Sequence, residues 1–364
     1  MSTRLNQLFG SNLITTQITS PAGGLPDGFP SGFMSLTKGV NGNMTSWDVM
    51  GETRDTGTVT GYGNPATRRN LASKAKGKAI LLHVLDEIGI GQEMLNDILN
   101  SGGDIDEKGV EEVARQTART VTILKNTRVA SIVSMLAGGT ISVAPDSSVD
   151  KGRIVDATYS GAVTHADLGI PAGNKTTVGG IFSALWSTAG TGIATQIENM
   201  QRQRAINGTP VLKYCGYGPG VSDALMNNTI VAKMIASGRA SFNLGTGIIE
   251  GLWDMTWYPL TGNFLKSAAA GTYVNPFEKK VVFHPEPSRD WYELHQGSYV
   301  IGSGSTPVVG DNAMSILSSM TKVRGAFSFA RLDHTPANIV HTFGDTFLPV
   351  LYQPSAIYVP TVLA

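Results

Sequence analysis

"RQTARTVTILKNTRVASIVSMLAGG", Arg115–Gly139, is the stretch on which the reading of this chain turns. Apolar and small residues recur along it, and the pattern starts upstream. Val110, Val113/Ala114, Thr117, Val121, Leu124, Arg128, Ile132 and Met135/Leu136 step by three or four. That period predicts one helix of about 30 residues with a single stripe suited to packing on a sheet. Asp104-Ile-Asp106-Glu107 places acids in its first turns, where the positive end of the helix dipole favours them. Gly138-Gly139 stops it. A coiled coil would keep a strict seven-residue repeat, which Thr117, Arg128 and Ser131 interrupt. A catalytic core helix should carry a ligand or an acid–base residue, and 115–139 contains no His, Cys, Asp or Glu. Its basic residues stand at 115, 119, 125 and 128. The pairs 115/119 and 125/128 are each one turn apart, so Arg119 and Arg128 are expected to face a neighbouring molecule.

The whole chain has 364 residues, enough for a sizeable core and about two domains. Lys+Arg and Asp+Glu are both 28, so there is no basic excess of the kind a dedicated nucleic-acid binder shows. Charged residues make up only 15%, against roughly 25% in an average domain. So few charges imply surface that is not meant to face water, as in a large obligate assembly. Cys215 is the single cysteine, so no intrachain disulfide and no Cys-rich metal frame can form. The N-terminal residues lack a signal-peptide apolar run, and no stretch approaches the ~18 apolar residues of a membrane span. A cytoplasmic site of synthesis is expected.

Upstream of the helix the chain has three parts. Residues 1–35 are polar, and SPAGGLPDGFPSG (20–32) breaks helix and strand alike, so they read as an extended arm. Residues 36–90 read as a long hairpin, with GNPATRRN as its turn and a helix as the competing reading for 78–88. Between residues 54 and 78 the hairpin is basic, with Arg54, Arg68, Arg69, Lys74, Lys76 and Lys78 against Asp55 alone. The next stretch reverses sign: Asp86, Glu87, Glu93, Asp97, Asp104, Asp106, Glu107, Glu111 and Glu112 oppose Lys108 alone. A neutral chain therefore has a dipolar sequence.

Downstream, TISVAPDSSVDKGRIVDATYS reads as short strands with a turn, and Thr177–Arg204 as a second helix weakened by Gly190 and Gly192. TPVLKYCGYGPGVSDALM reads as strand, glycine turn, helix, and 240–325 as mixed strands. The last 20 residues, DTFLPVLYQPSAIYVPTVLA, are almost wholly apolar with three prolines, which suggests an edge or end-of-core strand pair.

Candidate chemistry is sparse. Gly216, Gly218 and Gly220 lie between a strand and a helix, as in a phosphate-binding turn. Their spacing is GxGxG rather than GxGxxG, and Pro219 removes an N–H, which favours a plain turn. His284, Glu286, Asp290, Glu293 and His295 fall within HPEPSRDWYELH, but two prolines extend that segment, so a polar loop is the better reading than a metal site. GSGST (302–306) is not a GxSxG elbow. Cys215 in an apolar strand reads as a small buried hydrophobe.

Three stretches carry a family resemblance: "ARTVTILKNTRVASIVSMLAGGTISV", "GTPVLKYCGYGPGVSDALMNN" and "FLPVLYQPSAIYVPTVLA". With the order arm, basic hairpin, acidic-start helix, Gly-rich segment and apolar terminus, the chain resembles the lambda-type phage major capsid proteins (the protein E family). The resemblance implies an α+β chain with the Hong Kong 97-type capsid fold and no enzymatic activity or cofactor. Its parts would be an N-terminal arm (1–36), an extended β-hairpin loop (37–90), a peripheral domain with a long spine helix (91–177), an axial domain (178–322), and peripheral return strands (323–364). It implies a tailed-phage head shell around double-stranded DNA, located in the virion and synthesised in the host bacterial cytoplasm. Partners would be copies of the chain in hexamers and pentamers, packaged DNA by non-specific contact, and scaffold, portal and decoration proteins, with no membrane. The expected subunit interface pairs Arg54, Arg68, Arg69, Lys74, Lys76 and Lys78 of one copy with the acidic 86–112 stretch of the next, Glu107, Glu111 and Glu112 above all. Glycines at 57, 61 and 63 would let the hairpin bend. Two other readings remain: an α/β enzyme holding a phosphorylated cofactor at Gly216–Gly220, and an encapsulin-like or ring-forming shell protein.

Overall fold

A computed structural model describes residues 29–50, 75–90, 107–146, 151–175, 181–188, 190–243, 248–266, 273–302, 320–334 and 337–364. In chain order these form helix α1 (Gly32–Ser35) and strands β1 (Thr37–Gly39), β2 (Met44–Val49), β3 (Ala75–Ile80) and β4 (Leu82–Ile90). The long helix α2 (Glu107–Gly138) follows, then β5 (Thr140–Asp146), β6 (Lys151–Val155) and β7 (Val163–Asp167). Next come α3 (Ile193–Asn207), β8 (Leu212–Tyr217), α4 (Val221–Asn227) and α5 (Thr229–Ala236). Strands β9 (Ser241–Asn243), β10 (Ile248–Leu252), β11 (Met255–Pro259), β12 (Leu265–Lys266) and β13 (Tyr273–Val274) are short. The chain closes with β14 (Val281–Pro285), β15 (Tyr292–Gln296), β16 (Ser298–Gly302), β17 (Met320–Arg324), β18 (Phe327–His334) and β19 (Ala337–Leu351). The fold class is α+β.

Three five-stranded sheets result. One has the order β1-β15-β19-β18, with β4 also on β19; the second is β14-β8-β11-β10-β9; the third is β13-β12-β6-β5-β7. β16–β17 and β2–β3 form separate ribbons. The main core joins α1, the C-terminal half of α2, β15 and β19. A second core holds Trp186, α3, β8, β11 and β14. The C-terminal residues tie the two together, since Ile357 and Val359 belong to the first core and Tyr358 and Val362 to the second.

The opening stretch folds as its period requires. Val121, Leu124, Ile132, Met135 and Leu136 are all buried, and α2 packs on β19, β5 and β4. Gly139 ends the helix with φ +74, and its N–H donates to the Met135 carbonyl at 2.7 Å. Arg128 departs from expectation. It is fully buried within the stripe, where its Nη2 donates to Asp345 Oδ1 at 2.8 Å and its Nε donates to Oδ2. Arg119 is exposed, so only one of the two arginines faces outward.

Other expectations change where tertiary contacts decide. Residues 29–35 are not arm: Phe29, Phe33 and Met34 are buried, and the Tyr292 hydroxyl donates to the Phe33 carbonyl at 2.7 Å. The paired hairpin is narrower than 37–90. Among the described residues it comprises β2 and β3, whereas β4 leaves it to pair with β19 from Leu82↔Phe347 to Ile90↔Ile339. The helical alternative for 78–88 gives way to strands separated at Leu81, whose N–H donates to Asn43. The second helix starts at Ile193, not 177, because Gly192 caps it and the preceding chain turns inward to bury Trp186.

The C-terminal run is neither an edge nor a simple pair. β19 is central, bonded to β18, β4 and β15. Pro349 is tolerated there because it lies two residues beyond Phe347, the last residue paired with β4. The opposite residue, Leu294, directs its N–H to Leu36 on the far side. After Leu351 the chain crosses to β14, where Phe283 and Tyr358 exchange backbone hydrogen bonds at 2.8 and 3.1 Å. No described helix is long and apolar enough to cross a membrane.

Candidate interaction site at the hairpin root

The β2–β3 ribbon has two unlike faces because side chains alternate along a strand. Thr45 and Trp47 turn into the body and are buried, while Met44, Ser46 and Asp48 face out. Trp47 lies over Gly77, the residue paired with it; a Cβ at 77 would stand 2.2 Å from the indole ring. On the outer face Asp48 opposes Lys76, Ser46 opposes Lys78, and Met44 opposes Ile80. Met44 and Ile80 are 56% and 55% exposed. The Ile80 carbonyl meets the His165 ring at 2.7 Å, which brings exposed Val163 of β7 alongside. The ribbon thus shows water an apolar pair flanked by charges.

Of the interface residues expected from the sequence, Lys76 and Lys78 are exposed on this ribbon. Arg54, Arg68, Arg69 and Lys74 lie outside the described residues. Glu107, Glu111 and Glu112 stand in the first turns of α2, where the description covers the backbone and not their side chains. Glu87 accepts from the Thr342 hydroxyl at 3.1 Å within its own chain.

A polar network fastens the ribbon to the body. Thr45 Oγ1 contacts His295 Nδ1 at 2.6 Å, and His295 Nε2 contacts Tyr352 Oη at 2.9 Å. Lys38 Nζ donates to the same hydroxyl at 3.0 Å, and Tyr352 donates its proton to Glu293. The donors settle the tautomer: Tyr352 gives its one proton to Glu293, so His295 donates from Nε2 and accepts from Thr45 at Nδ1. Burial, helped by the Lys38 charge and opposed by Glu293, lowers the His295 pKa to about 4. The Tyr352 hydroxyl and the Glu293 carboxylate raise that of Lys38. Sequence reasoning grouped Glu293 and His295 but missed Lys38, Thr45 and Tyr352, which are far away along the chain. The buried side of the network opens on a groove of about 490 Å³ between Lys38, Arg289, Glu293 and Tyr352 on the body and Trp47 and Asp48 on the ribbon.

The other candidate sites are occupied by the chain itself. A Cβ on Gly218 would stand 1.8 Å from the Phe277 carbonyl oxygen, and the Gly218 N–H donates to Lys280. The close approach that glycine permits is therefore used by the loop at 277–280, as in the plain turn that the sequence favoured over a phosphate-binding one. Gly218→Ala should destabilise the unassembled chain by about 1–3 kcal/mol, read from its urea midpoint. His284 and His295, expected in a polar loop, are buried ends of β14 and β15, with Tyr258 Oη 2.8 Å from His284 Nε2. Among the described residues no three His, Cys, Asp or Glu side chains group as a metal would require. Cys215 is fully buried, and burial pushes its thiol pKa well up.

No family model matches the sequence, and no curated protein does. Several solved structures are similar in backbone course. The mature capsid of bacteriophage PhiM1 superposes with a TM-score of 0.48 at 10% identity, over 90% of this chain and 86% of that one. The capsid of cyanophage P-SCSP1u gives 0.43 at 14% identity, over 90% and 85%. The SrpI encapsulin of Synechococcus elongatus gives 0.40 at 9% identity, over 90% and 85%.

Proposed function

We propose that this chain is the major capsid protein of a tailed phage: a non-enzymatic subunit that assembles with its own copies into an icosahedral shell around double-stranded DNA. The observation that carries the reading is the β2–β3 ribbon. Its Met44–Ile80 pair, beside Val163, is uncovered in one copy and flanked by charges. An exposed apolar patch rimmed by polar groups marks an interaction surface. The resemblance of the three sequence stretches to lambda-type capsid proteins supports the same reading, and so does the low charge content of 15%.

In this proposal the 37–90 hairpin, to which the β2–β3 ribbon belongs, is the extended loop laid on a neighbour. The helix α2 is the spine of a peripheral domain, and the core around β8, β11 and β14 belongs to the axial domain. Hexamers and pentamers are the expected intermediates, and scaffold, portal and decoration proteins are further partners. The basic residues Arg54, Arg68, Arg69, Lys74, Lys76 and Lys78 meet Glu107, Glu111 and Glu112 of the adjacent copy. Each exposed pair contributes only about 0–1 kcal/mol, so the charges set register more than strength.

Negative-stain electron microscopy of the purified full-length chain tests the proposal. Closed shells are expected; discrete small particles would refute it, and open rings would select the ring-forming alternative. Reversing Arg68, Arg69 and Lys74 to Glu together should block or misdirect assembly. Shells of normal yield and shape from that variant would dismiss the hairpin's charge role. An enzyme with a phosphorylated cofactor would instead show a thermal shift with nucleotides.

A further inference from the structure

The second core leaves two pairs of apolar side chains in water, one at each end of α3. Ile206, in the last turn of α3, and Val211, at the entry to β8, are 60% and 55% exposed. Met226 and Ile230, at the corner between α4 and α5, are 39% and 44% exposed. That corner rests on the opposite end of the helix, because the Asn228 amide donates to the Thr191 carbonyl at 3.0 Å, just before α3 begins. With 15 residues α3 is about 22 Å long, and the two pairs lie roughly that far apart. Between them its outer face is polar: Thr195, Glu198, Asn199 and Arg202 are exposed, and Arg202 pairs with Glu198 at 3.5 Å. Apolar exposure on this side of the core is thus confined to the two ends. The β10–β11 turn adds to the first end, since the register Thr256↔Tyr214 sets Trp253-Asp254 level with Val211. Both turn residues have positive φ, 54 and 58, and Trp253 is half-buried. Two-residue hairpin turns usually give such positions to Asn or Gly, so a tryptophan there is a surface group held at a conformational cost.

We infer that the two ends are halves of one contact, in which Ile206 and Val211 of one copy pack on Met226 and Ile230 of the next. Exposed apolar patches with polar rims mark partner surfaces. Two unlike patches on opposite ends of one body join copies head to tail, and such a contact closes into a ring when the rotation between copies permits. The charges fit this arrangement and oppose pairing of like ends. Lys213 stands two residues from Val211 on the outer side of β8, and Asp223 stands one turn before Met226. Both are exposed, and neither has an ion-pair partner among the described residues. Joined through opposite ends, Lys213 meets Asp223, and exposed Asp254 meets exposed Lys233, one turn along α5 from Ile230. Two copies joined through the same end would crowd Lys213 against Lys213. Exposed ion pairs add little strength, so apolar packing holds the contact and the charges set its direction. The inference rests on the shell reading and specifies which surfaces neighbouring copies share.

The test uses the full-length chain carrying Val211→Cys and Ile230→Cys together, assembled and then treated with a short bismaleimide. Each thiol adds across one maleimide double bond, so two cysteines are joined without an oxidant. Cys215 is fully buried and gives no background. Within one copy the two positions lie too far apart for the linker, so denaturing electrophoresis should show a ladder from dimers upward. Each single variant should stay monomeric, and a mixture of the two should stop at dimers. Intact shells whose doubly substituted chains remain monomeric overturn the inference and leave the shell reading standing. Dimers from either single variant also overturn it, because they report contact between like ends. Absence of shells from the parent chain under the microscope overturns both readings. Charge reversal supplies a measure independent of the thiols: Lys213→Glu should lower shell yield about fivefold, and adding Asp223→Lys should restore it. No loss in the first variant, or no recovery in the second, overturns the pairing of these two ends.

Discussion

Asp345→Asn is expected to lower the unfolding free energy of the unassembled chain by about 3–5 kcal/mol, a large part of the ~5–15 kcal/mol that holds a domain folded. The substitution keeps shape and volume, yet it leaves the Arg128 guanidinium at 0% exposure without its carboxylate. Phe347, whose ring centre lies 5.5 Å from that guanidinium, offers it only a π face. The pair is not optimal even intact, since Arg128 Nη1 is buried without a partner among the described residues. Replacing both residues by apolar ones of similar volume, Arg128→Met with Asp345→Leu, should therefore be far less harmful than Asp345→Asn alone. It should range from neutral to about 1–4 kcal/mol more stable than the parent. Urea denaturation of the three proteins measures this. A single variant within about 1 kcal/mol of the parent would show that the pair is not desolvated as described. Because Arg128 sits on α2 and Asp345 on the central strand, the pair fixes how the helix lies on the sheet.

Acid should unfold this chain through its buried imidazoles. His284, His295 and His341 are at most 1% exposed, and burial first of all lowers the pKa of each from 6.5 to about 4. The sign follows from proton counts. Below pH 6.5 the unfolded chain takes up protons that the folded chain refuses until about pH 4. Stability is therefore full above 6.5 and lost as pH falls through that window. A tenfold loss of proton affinity is worth about 1.4 kcal/mol, so each ring contributes on the order of 3 kcal/mol by pH 4. The local reason is plain at His284. Its Nδ1 faces the Pro285 carbonyl at 2.8 Å, so Nε2 must accept from Tyr258, and a second ring proton would set two donors against each other. At His295, Lys38 opposes the added charge and Glu293 favours it, so its share should be the most salt-sensitive. Urea midpoints from pH 7.5 to 4 should fall steeply in the parent, and more shallowly, by about one proton, in His284→Asn. Equal slopes in the two proteins would refute the assignment for that ring.

How far these features were legible in the sequence depends on their range. The spine helix was visible from period and its stop from Gly138-Gly139, because both are local. The strand–turn–helix around Cys215 was visible for the same reason, although the role of Gly218 was not: the atom it makes room for is the carbonyl of Phe277. Arg128 carried a misleading signal. Its one-turn spacing from Lys125 suggested an outward face, yet it also stood in the apolar stripe, which is the position that prevailed. A useful clue lay at the other end of the chain. Asp345 is the only acid or base in Ala337–Leu351 apart from His341, and a lone carboxylate in a buried strand requires a partner. In the hairpin-root site, Glu293 and His295 were noticed as neighbours in sequence, whereas Lys38, Thr45 and Tyr352 join them only through strand pairing across some 60 to 260 positions.

By itself, then, the sequence determined what depends on neighbours within a few turns: the spine helix, the short strands, the glycine turn, and the alternation of basic hairpin with acidic stretch. Tertiary structure alone decided which of those faces are inside. It placed the C-terminal run at the centre of a sheet rather than its edge. It drew residues 29–35 into the core, turned Arg128 inward, and built a charged groove where the ribbon meets the body. The physical reason is desolvation. Whether a charge or an apolar residue is buried depends on what packs over it, and in this chain those partners come from distant strands.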